Sequence, residues 1–515
     1  MKPTNELYDL IRSLTGSEKR YFKLNAARQK GNKNYIKLFD AVDSKKIFDE
    51  AELKKRFKNE NFIKNLTVTK NYLYNLIFKS LISYHEKKSI DVKLSNLLFS
   101  CKLMFEKSLY KQFFKTLENG KELAYRSERF SYILEFIEFE KQIMKRDKIG
   151  KKNMNEVYDE ELEVLEIIKE INTCKRSVSD LFRLLRTGGI IRDKSAEKKI
   201  DEIISRIDFA KDAYSAKAKE SIYLAKYLEH RIKGNYEKAI EYCDKRYKLI
   251  SGNPMIFKNF LLDPALDSLD FSISSELSLY NFKEARKLFA AYKKIYAVRQ
   301  NEGINYRIID FDIRLSEAIA FKDNRSSADM IPEIENFLNG NKGKILVNTE
   351  NYFYYNITKY FFITGNFTEA LRKINDHFSS KHSGLTPEFE SYLRIINILI
   401  HYELGNFDLL KYLIPSSKKF LAGKKKLFKF ENAVMKFIVS IIQPKSSKHL
   451  PKLLQEFSYE VTELRKEKYE KNAFEYLDLS HWINGKIKLL KENNHNHFQI
   501  NYSKINHEKP LVIKK

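Results

Sequence analysis

A short element recurs five times along this chain at nearly even spacing, and no other feature constrains the fold as strongly. It reads GNYEKAIE at 234–241, YNFKEARK at 280–287, DNRSSADM at 323–330, GNFTEALR at 365–372 and GNFDLLKY at 405–412. The residue after the shared Asn is Tyr236, Phe282, Arg325, Phe367 or Phe407, at steps of 46, 43, 42 and 40. Three positions later stand Ala239, Ala285, Ala328, Ala370 and then Leu410. Self-similarity at such a period marks a stacked array of one supersecondary unit. Here the unit is a helix, a turn and a second helix. Gly or Asn ends the first helix by taking the left-handed conformation cheaply. The aromatic residue packs beneath the turn, and the small Ala lets the second helix approach its neighbour. Apolar residues then follow at helical spacing, as in Ala285, Leu288, Phe289 and Tyr292. The helices upstream of the turns, such as YFYYNITKYFFI (352–363) and SYLRIINILIHYEL (391–404), are too apolar to stand as isolated pairs. Stacked pairs can bury such faces.

Composition agrees. Only 16 of the 515 residues are Gly and 9 are Pro, and no Pro occurs between Pro3 and Pro254. Sandwiches, barrels and propellers need frequent Gly and Pro turns, so all-β folds are excluded, and Gly-rich nucleotide-binding folds are disfavoured. With 43% hydrophobic and 31% charged residues the chain can bury a large core. The predicted fold class is all-α: an α-solenoid of stacked antiparallel helix hairpins with a small helical N-terminal subdomain.

The G-N-aromatic-x-x-A core, clearest at Gly234–Ala239 and Gly365–Ala370, resembles the tetratricopeptide repeat family. Tyr227 and Thr358 stand where that family usually has a Gly, and Arg246, Tyr292, Glu335 and His377 where it usually has a second Ala. The spacing also exceeds the family period of about 34 residues. The resemblance is therefore to longer, divergent repeats over residues 215–450. Stacked helix pairs expose a long concave surface, and with no catalytic motif in the sequence the leading functional reading is a non-enzymatic, protein- or peptide-binding scaffold or adaptor. Tyr355, Asn356 and Lys359, on one first helix, are the expected partner-binding residues.

Five segments follow along the chain: a basic helical subdomain over 1–90, degenerate helical repeats over 91–190, clear repeats over 191–450, capping helices over 451–490 and a polar, flexible tail over 491–515. TGGIIRDKS (187–195), the only Gly-Gly, is the best hinge candidate. Within 1–90 a capping pattern, Thr15 with Glu18, starts the second helix. A long helix over 62–85 carries an apolar stripe of Leu66, Leu73, Ile77, Leu81 and Tyr84. Its opposite side shows Lys64, Asn71, Asn75 and Lys79. A short helix before a longer basic one is the outline of a helix-turn-helix module, in which those four residues would contact nucleic acid. The plain alternative is a cap that closes the solenoid.

The formal net charge is +26, with +10 in residues 1–90 and +12 in 411–515. Basic ends attract polyanions. Of the 94 basic residues, however, 72 are Lys and 22 are Arg, and nucleic-acid readers favour the planar Arg fork. A nucleic-acid- or ribonucleoprotein-associated regulator using 1–90 is thus the second functional reading. The three cysteines, Cys101, Cys174 and Cys243, are widely spaced, which fits free thiols in a reducing compartment. No apolar run approaches the roughly 20 residues of a membrane span, and the N-terminus lacks a signal-peptide pattern. A cytoplasmic protein with no membrane contact is expected.

No catalytic or cofactor motif stands in the sequence at the spacing its chemistry needs. The segment from Gly340 to Ile345 is too short for a phosphate-binding loop and lacks its hydroxyl. The histidines are scattered: His377 and His382 flank a loop, His495 and His497 sit in the tail, and His401 lies in an apolar helix as a core residue. The carboxylates of DEELEVLE (159–166) read as a solvated helix face. Trp482 fits a packing stripe. The expectation is no enzyme, no metal, no cofactor and no small-molecule substrate.

Overall fold

The computed structural model of the chain describes residues 6–28, 34–44, 50–86, 89–147, 153–208, 215–257, 263–297, 303–323, 329–379, 386–443 and 449–492. Among these residues every regular element is a helix and there is no strand. The chain divides into two compact units, residues 1–168 with 255–261, and residues 169–254 with 262–515.

The first unit opens with α1 (Glu6–Ser13), α2 (Gly16–Arg28), α3 (Asn34–Asp43), α4 (Glu50–Arg56), a 3-10 turn (Asn61–Asn65) and α5 (Leu66–Glu86). The capping pattern is formed: Thr15 N–H donates to Glu18 Oε2 at 2.8 Å and Glu18 N–H to Thr15 Oγ1 at 3.2 Å. Helix α5 packs on α1, α2 and α3. Its stripe is inward as expected, with Leu66, Leu73 and Ile77 buried among Phe22, Leu38 and Phe39. A separate core joins α6 (Ile90–Glu106), α7 (Tyr110–Arg126), α8 (Phe130–Asp147) and the start of α9 (Met154–Gly188). The acidic run on α9 is more than a solvated face. Glu160 pairs with Lys121 at 2.7 Å and Glu161 with Lys141 at 2.8 Å, and both lysines are buried.

The second unit continues with α10 (Lys194–Ser205), α11 (Ala216–Ile232) and α12 (Tyr236–Gly252). After α13 (Pro254–Phe257) at the division come α14 (Pro264–Ser278), α15 (Phe282–Ala297), α16 (Ile304–Phe321), α17 (Met330–Gly340), α18 (Val347–Ile363) and α19 (Phe367–Ser379). Then follow α20 (Pro387–Glu403), α21 (Phe407–Gly423), α22 (Lys429–Ile441), α23 (Leu450–Leu464), α24 (Ala473–Tyr476) and α25 (Ser480–Glu492). Helices pack on their sequence neighbours, the order of a solenoid. The first helices α14, α16, α18, α20 and α22 also touch one another in succession, forming one layer.

The turns explain the regularity. Gly234, Tyr280, Lys322, Gly365 and Gly405 all lie in the left-handed region, with φ of 71°, 58°, 54°, 80° and 73°. The next residue donates back to the carbonyl five positions earlier: Asn235 to His230 at 2.8 Å, Asn281 to Glu276 at 2.9 Å, Asp323 to Ala318 at 3.2 Å, Asn366 to Phe361 at 2.9 Å and Asn406 to His401 at 2.9 Å. This is one Schellman closure at all five repeat turns, and the helices ending before Ser108, Glu128 and Lys425 close the same way. The left-handed residue directly precedes the shared Asn in four of the turns and in the third is Lys322, two before Asn324; Asn235 and Asn406 have φ of −101° and −81°. Tyr280 and Lys322 adopt it at a cost of about 1–2 kcal/mol each relative to glycine, so the packing of the hairpins dictates the turn. Ala239, Ala285, Ala370 and Leu410 are fully buried, as their position in the element predicts. Arg325 and Ala328 lie outside the described residues.

Candidate functional site

In the second unit the segment 470–478 lies against the first helices. This segment is a 3-10 turn (Glu470–Asn472) running into α24 and a short extended stretch. The carbonyls at the end of a helix lack intrahelical donors. Tyr355 Oη of α18 donates to the carbonyl of Tyr476 at 2.8 Å, and Lys359 Nζ to that of Glu475 at 3.4 Å. The Glu475 carboxylate accepts from Ser278 Oγ of α14 at 2.6 Å and lies 3.6 Å from Arg231 of α11. The Tyr476 ring stacks on Tyr392 of α20 with centroids 4.7 Å apart. Four first helices therefore hold one short helical segment through its backbone, an acid and an aromatic ring.

The loop before α10 is bound into the same place. Ile190 N–H donates to Tyr476 Oη at 3.0 Å, Ile191 N–H to the Ile232 carbonyl at 2.9 Å, and Asn472 Nδ2 to the Ile191 carbonyl at 2.7 Å. Arg192 is buried. Its guanidinium reaches Glu431 Oε1 at 3.0 Å and Glu470 Oε2 at 2.8 Å, donates to Tyr392 Oη, and sits over the Phe428 ring at 4.7 Å. Glu470 also accepts the Lys429 and Phe430 N–H groups at the start of α22, supplying the cap that Phe428 cannot. Lys426 pairs with buried Glu388. The Gly-Gly segment, expected as a hinge, is thus one of the most firmly anchored loops of the unit. Gly189 has φ of 65°, and an added Cβ would lie 2.3 Å from Tyr476 Oη. Beside this network an open cleft of about 890 Å³ runs between Arg192, the start of α22 and α23, and its Lys429 is paired with Glu467 at 2.6 Å.

Of the expected partner-binding residues, Tyr355 and Lys359 therefore contact this chain's own segment. Asn356 is buried and donates to the Tyr352 carbonyl within α18 at 3.1 Å. Burial lowers the Lys359 pKa, with Glu475 and Asp478 opposing in part. Further along the layer Asp312 accepts from Tyr352 Oη at 2.7 Å, and burial pushes its carboxyl up to about 6 against that bond. Asp270 stands nearby, open to water; crowding by the surrounding protein, with Asp312 and Asp267 adding repulsion, also holds it above the ordinary carboxylate range. Arg192, Glu431, Glu470 and Asp312 carried no motif in the sequence. The one available signal was that Arg192 follows the only Gly-Gly in an otherwise turn-poor chain.

The expected nucleic-acid residues lie together. Lys64, in the 3-10 turn, and Asn71, Asn75 and Lys79 on α5 are all exposed, interleaved with exposed Val68, Tyr72, Phe78 and Ile82. Elsewhere His401 is buried, with Nδ1 3.0 Å from Asn406 Nδ2, and burial lowers its pKa, so it is a neutral core residue. His382, His495 and His497 lie outside the described residues. Trp482 Nε1 donates to Glu403 Oε1 at 2.6 Å within the core. Cys101, Cys174 and Cys243 are free and buried, and burial pushes the first two thiols up to about 11 and the third to about 12, which leaves them unreactive. Among the described residues no three His, Cys, Asp or Glu side chains come together as metal ligands, and no helix is long and apolar enough to cross a membrane. Compared with known proteins, the chain matches no family model, no curated protein and no solved structure.

Proposed function

We propose that this protein is a non-enzymatic scaffold or adaptor of the tetratricopeptide-like kind, binding a protein or peptide partner along the first-helix layer of its second unit. One observation carries the reading: the layer already holds a short helical segment by capping its carbonyls with Tyr355 and Lys359, fixing an acid with Ser278 and Arg231, and stacking an aromatic ring on Tyr392. Stacked repeats offer an extended surface to a peptide, and a helical segment seated on it is one recurring mode of peptide recognition. In this chain part of the layer is filled from within. A partner therefore takes the portion beyond the segment, toward Asp270 and Asp312.

The reading is tested with a photo-crosslinking residue placed in the full chain at Asp270 on the layer or at Lys287 on the exposed side of α15. Specific crosslinks to a protein partner from position 270 and none from 287 support it. Equal labelling from both positions, or a purified protein that turns over a substrate and captures no partner, overturns it.

A further inference from the structure

The outer face of α5 has the same pattern read in either direction. Opposite the buried stripe of Leu66, Leu73 and Ile77 stand Val68, Asn71, Tyr72, Asn75, Phe78, Lys79 and Ile82, all exposed. At about 100° per residue they cover an arc of about 120°. Counted outward from Asn75, Tyr72 matches Phe78, Asn71 matches Lys79 and Val68 matches Ile82. The order is aliphatic, polar, aromatic, Asn, aromatic, polar, aliphatic. Val68, Tyr72, Phe78 and Ile82 are 67%, 53%, 42% and 61% exposed. Scattered surface apolar residues need no explanation, but four on one helix face mark a contact surface.

We infer that this face is a two-fold interface with a second copy of this chain, the two α5 helices packing antiparallel with the axis through Asn75. The inference is independent of the proposal for the second unit. A two-fold interface must be self-complementary, residue i meeting j and j meeting i, and about Asn75 each apolar residue of the α5 face falls opposite another apolar one. Val68 meets Ile82 of the second copy. Tyr72 meets Phe78 on both sides of the axis, an aromatic pair worth about 0.5–1.5 kcal/mol beyond its buried area. The two Asn75 amides meet on the axis and can hydrogen-bond to each other, which fixes register as a buried Asn does in a coiled coil. Each Lys79 faces the neutral Asn71. Parallel packing would set Lys79 against Lys79, so charge selects the antiparallel arrangement. The same face suits nucleic acid poorly, because only one of its seven side chains is cationic. A single helix pair falls short of the roughly 1,000 Å² of a stable interface, so the dimer is weak and depends on concentration.

Sedimentation velocity of the full chain tests the proposal. The expected result is a monomer–dimer equilibrium whose Kd rises by about thirtyfold or more in Val68→Glu and Ile82→Glu, the loss of one hot-spot side chain, with unchanged thermal melts. Because the native cysteines are buried, introduced ones report the register. Asn75→Cys should oxidise to a covalent dimer, Val68→Cys alone should not, and a mixture of Val68→Cys and Ile82→Cys chains should crosslink to each other. A chain that stays monomeric at every concentration overturns the proposal, as does Val68→Cys self-crosslinking as fast as Asn75→Cys. So does a monomer held on duplex DNA with a steep salt dependence that Lys64→Ala and Lys79→Ala flatten.

Discussion

The second unit buries charge; the outer face of α5 in the first exposes apolar groups. Both invert the usual rule, and the inversions mean different things. Around Arg192 nearly every ionic group finds a partner inside the unit: two carboxylates, a tyrosine and an aromatic face surround one guanidinium. Such a network joins residues more than 200 positions apart and costs dearly if one member is removed. On α5 no partner within the described residues covers Val68 or Ile82, and their loss should leave the fold intact. Buried polarity here reports how the chain holds itself together, and exposed apolarity marks surface that the described residues of the fold leave unused.

The contrast can be broken most sharply at Arg192. Arg192→Leu strands Glu431 and Glu470 in the interior and should cost the second unit about 3–5 kcal/mol in urea unfolding. A loss under 1 kcal/mol would mean the pair is open to water and the inversion unreal. Next is Gly189→Ala. Its Cβ would collide with Tyr476 and its φ is left-handed, so about 2–4 kcal/mol is expected. Gly365→Ala has the same sign of φ and nothing within 4 Å, and should lose only about 1 kcal/mol. Equal losses would show that only the turn, and not the anchored loop, sets the cost.

Asp312→Asn should act the other way. The carboxyl has its ordinary pKa near 3.8 when unfolded and about 6 when folded. As pH rises between these values the unfolded chain ionises first and stability falls. Asn removes that penalty and can still accept from Tyr352. The variant should therefore be more stable by about 1–2 kcal/mol at neutral pH, with the gain shrinking below about pH 6 and gone below about pH 4. A gain that does not vary with pH would place the carboxylate in water.

The hairpin array was legible because its signals are local. Gly or a tolerated substitute closes each turn, and Ala or Leu sits where the next helix packs, so Ala239, Ala285, Ala370 and Leu410 could be assigned before any contact was known. The inward stripe of α5 and the Thr15–Glu18 cap were legible for the same reason. Tyr355 and Lys359 stand on a first helix, as the repeat pattern predicts, but their occupation by 475–476 is not legible, since no periodicity announces which distant segment fills a surface. TGGIIRD misled for a related reason: two glycines read as freedom, whereas Gly189 supplies room for Tyr476.

By itself, then, the sequence determined the helices, their turns and the order in which they stack, all of which rest on neighbours within about one repeat. Tertiary structure alone decided that loop 189–193 and segment 470–478 meet across the second unit and that Arg192 lies buried between two acids. Those contacts join residues more than 200 positions apart, and a pattern that rests on near neighbours does not encode such a pairing.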